Sequence, residues 1–175
     1  MPRLLILRHA KAEAASPAGG DHERPLAARG HDDAAKIGAY LRNADLAPKV
    51  AVLSSARRVQ ETWAGIVAEL PLKPSSQTER QLYNATPEDI LAVIRAIPGG
   101  ESPAIVVGHN PGLHAIALYL IASGDAAARE RLASGFPTSG LVVIDFPATS
   151  WSVVAPRSGK LQHFVSPSTL AASTD

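Results

Sequence analysis

Apolar positions along the chain fall into two kinds of run. Arg3 to Arg8 encloses Leu4, Leu5, Ile6 and Leu7 without alternation, and Val50 to Leu53 and Ala104 to Val107 repeat that pattern. Short unbroken apolar runs predict strands buried on both faces. Between the first two, Ala34, Ile37 and Leu41 recur at helical spacing and predict a helix from about Ala27 to Asn43. A second helix is predicted from about Arg57 to Leu70, with Ser54 or Ser55 as its cap. Thr86-Pro87-Glu88-Asp89 reads as a helix start, and Ile90, Val93, Ile94 and Ile97 carry that helix to Pro98-Gly99-Gly100. Another helix opens at Asn110-Pro111 and runs to about Ser123. Leu141 to Phe146 and Trp151 to Ala155 read as two further strands with a turn at Pro147. Residues 11 to 25 form a long loop, Leu70 to Gln81 reads as irregular, and the Ser/Thr/Ala-rich chain from Ser166 reads as a frayed tail.

Strands alternating with helices predict an α/β fold, a three-layer α/β/α sandwich around a mostly parallel central sheet. The 175 residues suit one domain, taken as 1–165 with a flexible tail at 166–175. Hydrophobic residues at 46% and charged residues at 19% exclude a disordered chain. A net charge of +1 excludes a broad basic surface for nucleic acid or anionic lipid. The lack of cysteine excludes disulfides, thiolate metal sites and a cysteine nucleophile. The run at Leu4 is too short for a signal-peptide core, and Leu113 to Ala122 is half a membrane span containing His114. The expectation is a soluble, cytoplasmic protein with no membrane or nucleic-acid partner.

In open parallel sheets, ligands bind beyond the carboxyl ends of the strands. The unusual polar residues lie there. Arg8-His9 ends the first strand, Ser54-Ser55 and Arg57-Arg58 follow the second, and His109-Asn110 ends the third. Each has a plain reading alone: a surface turn, solvated charge, a satisfied histidine. Cations at a helix start nevertheless oppose the helix dipole, and a bound anion would remove the conflict. Two histidines and at least two arginines, with no matching carboxylate in the same motifs, suit a dianion such as phosphate.

Three ordered segments carry a resemblance. Leu5-Ile6-Leu7-Arg8-His9-Ala10, Ser54-Ser55-Ala56-Arg57-Arg58-Val59-Gln60-Glu61-Thr62 and Val106-Val107-Gly108-His109-Asn110-Pro111-Gly112 are similar to the signatures of the histidine phosphatase superfamily, which includes phosphoglycerate mutases. Arg8 to Lys11, Arg24 to Gly30 and Gly108 to Gly112 most resemble the small SixA-type phosphohistidine phosphatases. The likeness spans about residues 3 to 145 and implies a phosphoglycerate mutase-like fold without metal or cofactor. It implies His9 as nucleophile, with Arg8, Arg58 and His109 holding the phosphoryl oxygens. The resembled pattern has an arginine four residues before Thr62, which selects Arg58 and leaves Arg57 as surface charge. Arg24 matches the subgroup and either reaches the pocket, held by Asp21, or forms a surface ion pair. Ser55 either binds phosphate or, as the simpler role, caps the helix.

Departures from the pattern narrow the substrate. The position matching a Glu general acid falls at Leu82-Tyr83-Asn84, and the Asp that follows the second His in the acid-phosphatase branch is Asn110 here. Asn has no ionisable proton to give an alkoxide. Phosphohistidine with a protonated ring leaves as neutral imidazole, whose conjugate acid has a pKa of roughly 6.5. The expected substrate is therefore phosphohistidine on a protein. One rival is a phosphatase for small or activated phosphomonoesters, with Asp21 or Glu23 as acid. Another is a non-catalytic module that binds phosphate or a phosphoprotein. His22 and His31 read as exposed, Trp63 and Tyr83 as core or pocket wall, and His114 lies outside zinc-motif spacing from His109.

Overall fold

The computed structural model describes residues 1–173. Seven strands form one sheet: β1 (Arg3–Arg8), β2 (Val50–Ser54), β3 (Ser75–Glu79), β4 (Ala104–Gly108), β5 (Ile121–Gly124), β6 (Leu141–Asp145) and β7 (Gly159–Val165). Their spatial order is β3-β2-β4-β1-β6-β7-β5. Only β6 runs against its neighbours, so the sheet is mostly parallel. β4 lies between β2 and β1, with Leu53 beside Val107 and Arg8 beside Gly108. Three parallel strands therefore end side by side at one level, and the loops that follow them share one edge of the sheet.

The β1 side chains alternate between two cores. Leu5 and Leu7 meet Ile37 and Leu41 of α1 (Ala28–Asn43) and Val59, Trp63 and Ile66 of α2 (Arg57–Val67). Leu4 and Ile6 face the other way, toward Ile90, Val93 and Ile94 of α3 (Pro87–Arg95), Leu113 and Ile116 of α4 (Gly112–Leu120), and Leu132 of α5 (Ala126–Ser134). Leu4, Leu5, Ile6 and Leu7 are all completely buried. Helices thus cover both faces, which accounts for unbroken apolar strands. α3 starts with the anticipated device: Thr86 and Asp89 form a reciprocal capping box, with Pro87 in the first turn. Among the described residues no helix is long and apolar enough to cross a membrane.

Four expectations need correction. The stretch expected to be irregular contains β3, an edge strand of five polar residues held to β2 through its backbone. The helix expected to reach Ser123 ends at Leu120, and β5 and α5 follow it. Trp151 to Val153 is a 3-10 turn, not strand; Trp151 is buried and its indole N–H donates to the Glu101 carbonyl. The last strand is β7, where Leu161 is buried between exposed Lys160 and Gln162. Where a frayed tail is expected from Ser166, Ser166 instead caps α6 (Pro167–Ala172), and Leu170 packs on the α1 side of the core. The last two residues of that expected tail, 174 and 175, lie outside the described residues.

The long loop 11–25 is closed at its base. Ala12 pairs with Leu26, the Glu13 N–H donates to the Pro25 carbonyl, and the Ala27 N–H donates to the Lys11 carbonyl. Gly30 permits this closure, because a Cβ there would collide with the Lys11 carbonyl oxygen. Gly30→Ala is expected to destabilise the protein by about 1–3 kcal/mol through overpacking. Gly135→Ala, where a Cβ meets nothing within 4 Å, should stay within about 0.5 kcal/mol. Urea unfolding of both variants checks the contrast.

Candidate active site

β1 delivers His9 directly after its last residue. The Ser139 N–H donates to the carbonyls of Arg8 and His9, and the His9 N–H donates to Gly108, so this exit is held from two sides. The His9 ring is buried at 8% exposure. Its Nδ1–H donates to the Ala10 carbonyl at 2.7 Å, and its Nε2 faces Arg58 Nε at 3.4 Å. A guanidinium can only donate, so Nε2 is the unprotonated nitrogen. Burial above all, with help from the charges of Arg58 and Arg8, lowers the His9 pKa to about 4. The ring is neutral, with its lone pair turned toward a cation.

Arg58 occupies the first turn of α2 and is itself buried. One hydroxyl fixes it relative to His9. Thr62 Oγ1 accepts the Ala10 N–H at 3.0 Å and donates to the Arg58 carbonyl at 2.6 Å. From β4 comes His109, whose ring centroid lies 5.3 Å from that of His9. His109 Nδ1 is 3.3 Å from Arg58 Nη2, and its Nε2 is 2.7 Å from Ser54 Oγ. Burial first and Arg58 second lower its pKa to about 3. Arg8 completes the group: Nη1 donates to the Phe136 carbonyl, while Nε is buried with no hydrogen-bond partner among the described residues. Burial and the nearby Arg58 both lower its pKa. Two guanidinium groups and two neutral imidazoles therefore converge on one edge of the sheet, an arrangement that costs electrostatic energy unless an anion joins it.

A carboxylate lies on this edge as well. Asp21, in a 3-10 turn of the long loop, accepts from Arg58 Nη2 at 3.1 Å, Tyr83 Oη at 2.7 Å and Arg24 Nε at 2.9 Å. Its backbone carbonyl also accepts from Arg58 Nη1 at 2.8 Å. The Tyr83 hydroxyl, with Arg24 and Arg58, holds the Asp21 carboxyl well below the usual carboxylate range, and the same bond pushes the Tyr83 phenol up. The Tyr83 ring stands edge-on to both His109 and His22, lining the approach. No group of three or more His, Cys, Asp or Glu side chains able to hold a metal ion occurs among the described residues.

Comparison with known proteins places the chain. Residues 4–83 match the model of the histidine phosphatase superfamily, branch 1. An uncharacterized protein of Mycobacterium tuberculosis is 40% identical over 164 residues, covering 90% of this chain and 98% of that protein. Two solved structures carry the name phosphohistidine phosphatase SixA. The one from Nakamurella multipartitia has a TM-score of 0.83 at 28% identity, covering 95% of this chain and 96% of its own. The one from Agrobacterium tumefaciens has a TM-score of 0.80 at 29% identity, covering 95% and 99%. The chain belongs to the histidine phosphatase superfamily.

Within this superfamily member, the structure brings His9, Arg8, Arg58 and His109 together at the edge of the sheet. Arg24 lies one contact further out, bracing Asp21 and donating from Nη1 to the Glu13 carbonyl at 2.8 Å. Arg57 points away and pairs with Glu61 at 2.8 Å. Ser55 does not cap α2: the cap residue is Ala56, with no side-chain cap, and the Ser55 hydroxyl lies 3.0 Å from His22 Nε2. His22, expected to be exposed, is half-buried between Ser55, Glu23 and Tyr83. The motifs suggested no carboxylate for the arginines, yet Asp21 supplies one from the loop. Its depressed pKa also removes it as a proton donor.

Ser54, expected at most to cap α2, is completely buried. A hydroxyl both donates and accepts. Arg58 can only donate to His109 Nδ1, so the His109 proton sits on Nε2 and is donated to Ser54 Oγ, which fixes the ring with its Nδ1 lone pair toward the arginine group. Its position as the last residue of a buried strand was the available signal, since a hydroxyl there needs a partner.

In an NMR titration, the His9 and His109 ring resonances should stay constant from pH 8 down to about 5. Midpoints near 4 and 3 are expected, away from the usual value near 6.5. The unfolded chain binds these protons at higher pH than the native state does. Stability from both rings is therefore complete above about 6.5 and is lost as pH falls toward 4. Ser54→Ala should lower phosphatase activity while the fold persists, with loss mainly in kcat; an equal change in KM alone would deny Ser54 a role in orienting His109.

Proposed function

We propose that the chain is a phosphatase acting through phosphorylated His9, and that its substrate is phosphohistidine on a protein. The observation that carries the reading is the tautomer of His9: Nδ1–H tied to the Ala10 carbonyl, Nε2 free and directed at Arg58. A surface histidine has no reason to be held neutral and aimed at a cation. A nucleophile for phosphorus needs both.

In the first step Nε2 of His9 attacks phosphorus while the bond to the leaving group breaks. Arg8 and Arg58 hold the phosphoryl oxygens with fixed planar donors, and the otherwise unpartnered Arg8 Nε is one of them. His109 Nδ1 and a third phosphoryl oxygen share a proton that the phosphoryl group brings, while the Nε2–H stays on Ser54. As His9 becomes cationic, its Nδ1–H bond to Ala10 strengthens. Water then attacks the phosphohistidine, His9 leaves as neutral imidazole, and phosphate departs.

The nature of the leaving group supports phosphohistidine over a sugar or glycerate ester. An alkoxide needs a proton at once. Asn84 cannot give one, Asp21 is held ionised, and the Tyr83 proton is engaged by Asp21. A protonated phosphoimidazole needs no acid at all. The two neighbours that carry the name phosphohistidine phosphatase add support from similarity.

Steady-state rates on a phosphohistidine peptide, 4-nitrophenyl phosphate and 3-phosphoglycerate should fall in that order, with 3-phosphoglycerate almost inert. Turnover of 3-phosphoglycerate at the rate of the peptide would sink the substrate assignment. His9→Ala should abolish turnover and acid-labile labelling yet only weaken phosphate binding. Arg58→Ala should cost roughly 10²–10³ in kcat/KM, and Arg57→Ala far less; the reverse order would refute the site.

A further inference from the structure

Asp21 brings a fixed negative charge to the rim of the phosphate cradle, and no step above uses it. Three donors aim its oxygens: Arg24 on Oδ1, Arg58 and Tyr83 on Oδ2. A carboxylate oxygen accepts about two hydrogen bonds, so Oδ1 keeps an open acceptor position. The Asp21 side chain is 52% exposed and reachable from solvent. The flat edges of Tyr83 and His22 stand beside it, with ring centroids 5.0 Å apart.

We infer that Asp21 selects the leaving group by accepting the ring N–H of a phosphohistidine whose imidazole is protonated. This rests on the phosphatase reading and adds a specificity-determining residue to it. The phosphoryl group must lie against Arg58, and Asp21 is hydrogen-bonded to the same guanidinium nitrogen that faces His109. An anionic ester therefore meets a like charge at the rim, which costs binding. An imidazolium between phosphoryl group and carboxylate instead gives alternating signs: arginine, phosphoryl, ring, Asp21. The Tyr83 ring, whose hydroxyl is bound to Asp21, adds an aromatic surface beside it.

The transfer balances without an external acid or base. The substrate ring carries phosphorus on one nitrogen and a proton on the other. The P–N bond breaks with its electron pair returning to the ring, while the lone pair of His9 Nε2 forms the new P–N bond. The departing imidazole is neutral and keeps its proton, which faces Asp21 throughout. The positive charge moves from the substrate ring to His9.

The decisive quantity is the ratio of kcat/KM on a phosphohistidine peptide to kcat/KM on 4-nitrophenyl phosphate, whose leaving group has no N–H. Asp21→Asn should lower that ratio at least tenfold, and Asp21→Glu should retain more of it. Tyr83→Phe, which leaves the carboxylate but loosens its aim, should lower the ratio by a smaller factor. An equal loss on both substrates would mean that Asp21 only props Arg58, and an unchanged ratio would mean that it touches no leaving group; either outcome overturns the inference while leaving the phosphatase reading intact. A wild-type protein inert toward the phosphohistidine peptide but active on 4-nitrophenyl phosphate would overturn both the substrate assignment and this inference.

Discussion

Thr62 joins the two segments on which the site depends. Its hydroxyl receives the backbone N–H that follows His9 and donates to the backbone carbonyl of Arg58. It is 1% exposed, so neither bond exchanges with water. A histidine at the end of a strand and an arginine at the start of a helix could each point in many directions. This pair of hydrogen bonds fixes the strand exit against the first turn of α2. The sheet supplies the rest of the alignment, since β1, β4 and β2 end at one level and their loops cannot diverge.

Charge then determines what the aligned groups can be. Burial removes the solvent that would stabilise a further cation at this edge, and the nearby arginines disfavour one as well. Both histidines are thereby kept neutral, the form the proposed role of His9 as nucleophile requires. Asp21 offsets part of the repulsion between Arg8 and Arg58 without belonging to any of the three strand-end segments. It arrives on a loop whose base is clamped, so a flexible-looking segment delivers a side chain in a defined place.

How legible all this was depended on whether a residue announced itself through a pattern. The unbroken apolar strands β1, β2, β4 and β6 and the capping box at Thr86 were plain, because burial on both faces and helix initiation leave direct marks on a sequence. β3 was invisible: Ser75 to Glu79 holds its place through backbone hydrogen bonds, which carry no side-chain signature. α5 was missed because its Ala-rich turns bury little beyond Ala128 and Leu132. Arg8, His9, Arg58 and His109 stood out as charged residues at strand ends. Ser54 was read only as a possible helix cap, and Asp21 as a partner of Arg24 or a general acid, not as the carboxylate on Arg58. Their roles come from long-range partners that no local spacing encodes.

The closed base of the 11–25 loop separates the loop into two parts with different freedoms. Ala14, Ala15 and Pro17 to Gly20 are exposed, while Glu13, Arg24 and Leu26 are pinned across the neck. Length or composition can drift at the outer tip while the clamped stem keeps the rim carboxylate in register. Insertions and deletions at the tip can therefore reshape the outer surface of the molecule while the side chains beneath stay insulated from the change.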